Sequence, residues 1–346
     1  MIAPATFFEK IAYRLSLLYV RLFAPGNYYD RGVFWKRQLL IKASALIKAH
    51  DIKNVIVSGA SFHLTHHCLT IKQFFPEVNL IVDLRDPWTN NPGFLGFGGL
   101  SSKRQDYERK LENEVMNGAD VVTSVAEPMT EHFKAMADKN PNGKFITILN
   151  GFDDDDIRMS TGLQHPPKDR IRFVLTGTLY NNVQSAFQIL TKGLAELREN
   201  NMELFERLEF HFYGEAPPYY REAADLNYLD NITFFERIPL YKVPEKIASA
   251  HLGMLFLNEN LEFSFSTKFY DYIAQKKKIA VFSGKGNTAA FIEENNIGFA
   301  FHEDNGLENF KRIEADLKAG ELDSSSFDLK PYTIKYLADE LAELLK

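Results

Sequence analysis

The chain is poor in cysteine: among its 346 residues only Cys68 is present. A single cysteine excludes an intrachain disulfide framework and a zinc site built from cysteines. Such usage is typical of a reducing compartment, and the first residues lack the charged start, apolar centre and small-residue cleavage site of a secretory signal. We therefore expect a cytoplasmic protein.

The chain also lacks long apolar runs and an excess of positive charge. No run approaches the ~20 apolar residues that a membrane span requires, so we expect no transmembrane helix. The 40 Lys and Arg residues against 46 Asp and Glu give a formal net charge of -6. This balance argues against sequence-independent binding to nucleic acid, which depends on neutralising phosphates. A hydrophobic content of 45% is that of a globular protein, and the length predicts two domains.

The segment from Phe7 to Phe23 combines apolar and basic residues. Ile, Leu, Tyr, Val and Phe are interspersed with Lys10, Arg14 and Arg21. This composition predicts a basic amphipathic helix. Two interpretations stay open: the helix packs on its own domain, or residues 7–23 make peripheral contact with an anionic membrane surface at the inner face of the cytoplasmic membrane.

Helix-like and strand-like segments alternate along most of the chain, beginning with a predicted helix from Phe34 to His50. A polar, proline-containing stretch from Asp153 to Asp169 separates two such series. Alternation of this kind builds parallel sheets, so we expect an α/β fold with two similar halves facing across a cleft. The last predicted helix, Thr333 to Leu345, carries leucines on one stripe and needs a partner surface.

The stretch from Ser266 to Tyr272 predicts a helix start with a cation and a carboxylate on one face. Lys268 lies near the positive end of the helix dipole, where it can hold a diphosphate. Asp271, one turn later, can accept both hydrogen bonds from a ribose diol. A nucleotide sugar needs these two groups. The alternative is a solvated amphipathic helix that binds no ligand.

A second polar cluster follows the apolar, strand-like run from Val78 to Val82. Two acids, a cation and a tryptophan lie in the six residues from Asp83 to Trp88. A doubly wound sheet presents its ligand groups at the carboxyl ends of its strands, so this position is suited to substrate chemistry. The alternative is an Asp–Arg ion pair that organises a loop.

Other motifs give no support to metal or hydrolase chemistry. The four acids Asp153 to Asp156 do not converge on one ion without a loop built for it. His63, His66 and His67 include a one-turn pair, but no glutamate lies between them and no third ligand follows. Ser283 to Gly286 lacks the Lys-Ser/Thr of a P-loop and predicts a turn. No GxSxG elbow occurs. We therefore expect no bound metal.

Taken in order, the segments resemble the GT-B glycosyltransferases related to family 4, the group 1 enzymes of bacterial cell-envelope polysaccharide synthesis. The resemblance covers most of the chain and rests on short motifs in both halves. In the first half these are Ser58–Gly59, Asp83–Trp88, Glu108 with Glu112, Ala119–Val122 and Asn150–Asp153. In the second half they are Gly177–Thr178, Tyr213–Gly214 and the helix with Lys268, Asp271, Tyr272, Ile273 and Ala274.

The resemblance implies two Rossmann-like domains and a C-terminal helix. It places an acceptor-side domain at residues 1–151 and a domain that binds a nucleotide sugar at residues 152–332. Residues 333–346 would form a helix that packs back on the first domain. The chain opens with helix-like sequence where the family begins with a strand and a glycine-rich loop. Either the N-terminal domain is shortened, or the start of the protein is missing.

The resemblance also implies an activity. A sugar would pass from a nucleoside-diphosphate sugar to a hydroxyl of a glycan or lipid-linked acceptor, with retention of configuration, in lipopolysaccharide or capsule synthesis. The nucleotide sugar is the donor substrate, and the resemblance implies no cofactor.

The candidate site residues carried over by resemblance form three groups. The donor-binding group is Gly177, Thr178 and Gly214 near the phosphates, Thr267 and Lys268 near the diphosphate, and Asp271 at the ribose. The catalytic group is Asp86 and Arg85, for acceptor activation and charge stabilisation. The acceptor-side group is His63, Asp83 and Trp88, with a solvated or helix-capping histidine as the alternative for His63.

Two departures from the family pattern bear on function. An acid that contacts the transferred sugar would lie eight residues before Asp271, where this chain has Phe263. The loop from Leu179 to Asn182 carries no charge where many members have a basic pair, which leaves more of the phosphate binding to Lys268. These departures motivate an alternative: a non-catalytic sugar-nucleotide or glycan-binding protein of the same fold. A two-domain solute-binding protein fits the alternation but not the absent signal sequence.

Overall fold

A computed structural model of the protein describes residues 6–59, 61–90, 94–153, 155, 165–227, 229–258, 265–283 and 286–345. Phe263 and two residues of the predicted turn, Gly284 and Lys285, lie outside these ranges. The chain forms two compact units. The first comprises Met1–Leu149 with Leu341–Lys346, and the second Asn150–Glu340.

The first unit is built on a parallel sheet whose strands follow one another in chain order. Its strands are β1 (Asn54–Gly59), β2 (Asn79–Leu84), β3 (Val121–Ser124) and β4 (Lys144–Thr147). Its helices are α1 (Phe7–Phe23), α2 (Lys36–His50), α3 (Phe62–Phe74), α4 (Ser102–Gly118) and α5 (Glu127–Met136). Ile81 and Val82 of β2 are fully buried, as parallel strands covered on both faces require.

The second unit is also built on a parallel sheet. Its strands are β5 (Ile171–Thr176), β6 (Leu208–Tyr213), β7 (Ile232–Phe235), β8 (Leu252–Phe256), β9 (Lys278–Phe282) and β10 (Gly298–Phe301). Its helices are α6 (Gln184–Asn200), α7 (Met202–Arg207), α8 (Pro218–Leu226), α9 (Val243–Ala248), α10 (Thr267–Ala274), α11 (Asn287–Glu294) and α12 (Gly306–Ala319). The last helix, α13 (Ile334–Glu343), begins among residues of the second unit and ends among residues of the first. The core is rich in phenylalanine, and Phe173 of β5 stacks on Phe210 of β6 with ring centroids 4.5 Å apart.

The strand order reverses in the second sheet. From β5 the chain lays down β6 and β7 on one side, then returns to add β8, β9 and β10 on the other. The loops that leave neighbouring strands at such a reversal run in opposite directions, which opens a crevice at the carboxyl ends of the strands. Within the described residues the first sheet has the sequential order β1-β2-β3-β4 and shows no reversal. The topology therefore favours the second unit for ligand binding.

The predicted alternation of helices and parallel strands is confirmed in both units, and the last helix, predicted from Thr333 to Leu345, runs from Ile334 to Glu343. The helix predicted from Phe34 to His50 begins at Lys36, because a separate 3₁₀ turn occupies Arg31–Phe34. The strand β10 was not predicted from the sequence, since half of its residues are Gly298 and Ala300, types that are depleted in strands. None of the described helices combines the length and apolar character needed to cross a membrane.

Candidate functional site

A cavity of about 300 Å³ lies in the second unit, at the carboxyl ends of β5 and β6. It is lined by Thr176, Gly177, Thr178, Tyr180, Tyr213, Gly214, Glu215, Arg237, Ile238, Leu240, Val243, Thr267, Lys268 and Asp271. The donor-binding residues suggested by the sequence are all in this set. The structure therefore brings together groups that are almost 100 positions apart in the chain.

Two glycines form one wall of this cavity. Gly177 follows β5 with φ +110°, and Gly214 follows β6 with φ +145°. Residues other than glycine rarely adopt these backbone angles. A Cβ at Gly214 would lie 2.2 Å from the carbonyl oxygen of Gly177, so the two loops are in direct backbone contact. The amide of Gly177 donates to the carbonyl of Tyr213 at 2.8 Å. This packing places the backbone of both glycines at the cavity wall.

The helix α10 forms the facing wall, and its position depends on Tyr272. The buried hydroxyl of Tyr272 donates to the carbonyls of Val174 and Met254, each at 3.2 Å. Its ring lies directly on Gly253 of β8, where an added Cβ would approach the ring to 2.3 Å. A glycine inside a buried strand is a sequence signal of such a close approach. Gly253 and Tyr272 thus fix the start of α10 against the sheet.

Lys268 and Asp271 lie on the face of α10 that is turned to the cavity, while Phe269 and Tyr270 are buried on the other face. The Lys268 side chain passes close to Gly177: a Cβ on that glycine would lie 3.0 Å from Cε and 3.5 Å from Nζ. Burial lowers the pKa of Lys268, and the charge of Asp271 opposes this effect. The ammonium group has lost part of its hydration, so a bound anion would recover solvation that the protein does not supply.

Arg237 is a cavity residue that sequence reasoning missed. It follows β7 by two positions and lines the same space as Lys268. The available signal was its place just after a strand of a parallel sheet, the same signal that singled out Asp83 to Trp88. Arg237 gives the cavity a second cation although the loop from Leu179 to Asn182 carries none. The exposed side chains of Tyr180 and Leu240 add an aromatic and an aliphatic surface to the lining.

In the first unit, Asp83 connects three neighbouring strands. Its carboxylate accepts hydrogen bonds from Ser58 of β1 at 2.7 Å and from Thr123 of β3 at 2.8 Å. The guanidinium of Arg85 lies 3.1 Å from the same carboxylate and also donates to the carbonyl of Ile148 at 2.9 Å. These contacts make Asp83 and Arg85 part of the scaffold that holds the strand ends, as the ion-pair alternative predicts.

Asp86 is half-buried in the loop that follows β2. Burial raises the pKa of its carboxyl group above the usual range for aspartate. A carboxylate that has lost hydration is a stronger base than one in water. This property fits the role of acceptor activation that the resemblance suggests for Asp86, which stays a prediction.

The side chains of His63 and Trp88 meet at one buried glutamate. Glu108 of α4 accepts from Trp88 Nε1 at 2.8 Å and from the amide of Asn27 at 2.6 Å, and it pairs with His63 Nε2 at 2.7 Å. Burial alone would raise the pKa of Glu108, but the hydrogen bonds and charge of these partners lower it overall. The solvated alternative for His63 is wrong, because only 2% of this residue is exposed.

A second buried glutamate, Glu112, lies one turn further along α4. Both the hydroxyl and the amide of Thr89 donate to its carboxylate. Glu108 and Glu112 therefore hold Trp88 and Thr89, the residues that follow Asp86. The sequence singled out both glutamates only as part of the family pattern, and their function as anchors of this loop became visible in the structure.

Burial of Glu112 predicts a pH-dependent stability. Burial raises the pKa of this carboxyl group to about 7, against 4.5 for an unperturbed glutamate. Between these values the folded protein keeps a proton that the unfolded chain releases, so the free energy of unfolding falls as pH rises. We expect a decrease of at most roughly 3 kcal/mol between about pH 4.5 and 7, levelling off above. Urea unfolding at several pH values measures it.

A pair of variants isolates this contribution from the other titrating groups. Glu112→Gln cannot ionise, so the difference in unfolding free energy between wild type and this variant should change with pH over the same interval. Asn113→Gln on the same helix is the matched control, because Asn113 is exposed and neither side chain titrates in this interval. A difference between wild type and Glu112→Gln that is constant with pH would contradict the expectation.

Solved structures match the chain over most of its length. A glycosyltransferase from Rickettsia africae matches with a TM-score of 0.64 and 12% identity, covering 90% of this chain and 81% of its own. A sucrose-phosphate synthase from Thermosynechococcus elongatus matches with a TM-score of 0.60 and 12% identity, covering 90% of this chain and 78% of its own. The chain has the GT-B fold. No protein-family model matches the sequence, and a search of curated proteins finds no match.

The GT-B fold is shared by proteins with different reactions. A protein described as a UDP-N-acetylglucosamine 2-epimerase from Listeria monocytogenes also matches, with a TM-score of 0.53, 14% identity, and coverage of 89% of this chain and 77% of its own. At these identities the likeness establishes the GT-B fold alone. The reaction has to be argued from the residues of the site.

Proposed function

We propose that the protein is a glycosyltransferase that binds a nucleoside-diphosphate sugar in the cavity of the second unit. The observation that carries the proposal is the convergence of Lys268, Asp271 and the Gly177–Gly214 backbone on one cavity. The transferred sugar passes to a hydroxyl of a glycan or lipid-linked acceptor. By the resemblance described above, the configuration is retained and the product belongs to cell-envelope polysaccharide synthesis.

The diphosphate, the ribose and the base of such a donor each have a chemically matched group in the cavity. Lys268 and Arg237 supply positive charge for the diphosphate, next to backbone at Gly177 that a phosphate can approach closely. Asp271 supplies a carboxylate that can accept from both ribose hydroxyls. Tyr180 offers an exposed ring for stacking against the base.

The same groups suit the transfer step. The bond between the anomeric carbon and the diphosphate oxygen breaks, so negative charge grows on the departing nucleoside diphosphate. The diphosphate of the donor is already anionic, and Lys268 and Arg237 stabilise the additional charge that develops in the transition state. The acceptor oxygen bonds to the anomeric carbon and gives up its proton, and we assign the acceptance of that proton to Asp86, whose basicity burial increases.

One experiment tests both binding and reaction. Thermal shift with UDP, GDP, CMP and dTDP identifies the base, because a ligand that binds only the folded state raises its stability in a concentration-dependent way. The corresponding nucleotide sugars are then incubated with the protein and followed by NMR. We expect nucleoside diphosphate and free or transferred sugar to appear, and Asp86→Asn to keep the thermal shift while losing the product.

The NMR spectra separate the competing functions. A nucleotide sugar converted to its epimer with no nucleoside diphosphate released would support an epimerase and overturn the transferase. A thermal shift with an unchanged donor spectrum, in the presence of candidate acceptors, would favour the non-catalytic binding protein. Phe263 and the uncharged loop from Leu179 to Asn182 motivate this second candidate. No shift with any nucleotide would reject both.

A further inference from the structure

The helix α1 is a 17-residue element that contains no buried residue. Every residue from Phe7 to Phe23 is exposed except the half-buried Val20. Large apolar side chains share this exposure: Phe8 is 80% accessible and Leu22 is 63% accessible. Isolated exposed apolar residues are ordinary on a protein surface, but a whole apolar helix face indicates an interaction site.

The apolar residues of α1 form one continuous face. At ~100° per residue, a sector of roughly 160° holds only apolar and aromatic side chains. These are Phe7, Phe8, Ile11, Ala12, Leu15, Leu18, Tyr19, Leu22 and Phe23. Lys10, Arg14 and Arg21 lie together along one edge of this sector. Such a boundary between an apolar face and a row of cations is the arrangement of helices that lie in a membrane interface.

The helix is held mainly near its two ends, and Tyr19 also approaches Phe34 with ring centroids 6.0 Å apart. At the start, Thr6 and Glu9 form a capping box, in which each side chain accepts from the backbone amide of the other. At the end, Arg104 of α4 donates to the carbonyls of Arg21 at 2.9 Å and Ala24 at 2.6 Å. The helix is therefore presented by the first unit as a preformed element with its apolar face uncovered.

Charge is distributed unevenly between the first 50 residues, which include α1, and the rest of the chain. Residues 1–50 contain eight Lys and Arg against two acids, Glu9 and Asp30. Asp30 is buried and accepts hydrogen bonds from the backbone of Gly32 and His63. The remaining residues contain 32 Lys and Arg against 44 acids. An anionic surface would thus attract the region that carries α1 and repel the remainder, which fixes an orientation.

We propose that α1 docks the protein on an anionic lipid bilayer, with its apolar face among the acyl chains and its cations at the headgroups. A second copy of the chain fits this face less well. A symmetric dimer would bring the same patch of both copies together and set Lys10, Arg14 and Arg21 near their equivalents. The inference does not depend on the nucleotide site, since no residue of that cavity takes part.

The test is co-flotation of the full chain with lipid vesicles in the absence of nucleotide. Vesicles of phosphatidylcholine mixed with phosphatidylglycerol should carry the wild type, while vesicles of phosphatidylcholine alone should bind it more weakly, and high salt should reduce the difference. Leu22→Glu should weaken binding to the mixed vesicles by roughly tenfold or more, because it puts a charge into the apolar face. Leu226→Glu is the matched control, since Leu226 is 80% exposed on α8 in the other unit.

Three results would overturn the proposal. One is wild-type protein that stays with the lipid-free fraction. Another is an equal loss of binding in Leu226→Glu, which would mean that any added negative charge suffices. The third is a dimer in sedimentation velocity that Leu22→Glu dissociates while the wild type ignores vesicles, which would assign the face to a second copy. Circular dichroism of both variants establishes that they are folded.

Discussion

Lys268→Met should weaken the binding of a nucleoside diphosphate by about 100-fold, corresponding to ~2.7 kcal/mol. The ammonium of Lys268 lies close to the Gly177 backbone in the cavity, and its loss removes a charge-assisted contact to the diphosphate. Isothermal titration calorimetry with the nucleotide identified by thermal shift measures the effect. The corresponding nucleoside, which lacks phosphate, should lose little affinity.

The same substitution should leave the unliganded protein at least as stable as the wild type. Burial disfavours the charged form of Lys268, as its lowered pKa shows, so an apolar side chain of similar length removes an unfavourable desolvation. Lys242→Met is the control: Lys242 is exposed and lies next to Val243, which lines the cavity. Equal losses in both variants would mean that long-range charge, not contact, governs binding, and the assignment of Lys268 to the diphosphate would fail.

Glu108→Ala should destabilise the first unit by about 3–5 kcal/mol. The carboxylate is 1% exposed and is the shared partner of His63, Trp88 Nε1 and the Asn27 amide. Its removal leaves these buried polar groups without their acceptor, and such unpaired groups destabilise the folded state. Chemical denaturation gives the change in the free energy of unfolding.

Glu114 offers a close comparison for this prediction. It lies on the same helix and also pairs with a histidine, His66, at 2.7 Å, but it is 42% exposed. Glu114→Ala should therefore cost less than about 1 kcal/mol, since exposed ion pairs contribute little. If both alanine variants lost the same stability, burial of the network would not be the cause.

The elements of the fold were predictable to within a few residues because strong patterns define them. The apolar run that became β2 is buried on both faces, and the breaks at Gly59 and Gly177 mark strand ends. The strand β10 and the order of the strands in each sheet were not predicted from the sequence. Strand order depends on which sheet edge each returning connection joins, and one sequence does not display that choice.

The donor-binding residues of the candidate site could be predicted because they lie in short, recognisable sequence patterns. Lys268 and Asp271 are three positions apart on one helix start, and Gly177 and Gly214 each end a strand. Arg237 was missed because its place just after a strand does not show which other loops lie beside it. It becomes a site residue only because β7 ends beside β6, which brings the loops of both strands to one cavity.

By itself the sequence determined the α/β class, the positions of most helices and strands, and the amphipathic character of residues 7–23. Each of these follows from the spacing of apolar residues along a few turns or a few strand positions, where neighbours in sequence are neighbours in space. Only the tertiary structure decided that Trp88 and His63 share Glu108, that Arg237 joins Lys268, and that α1 is left uncovered. These depend on which distant segments meet, and that is set by packing of the whole chain.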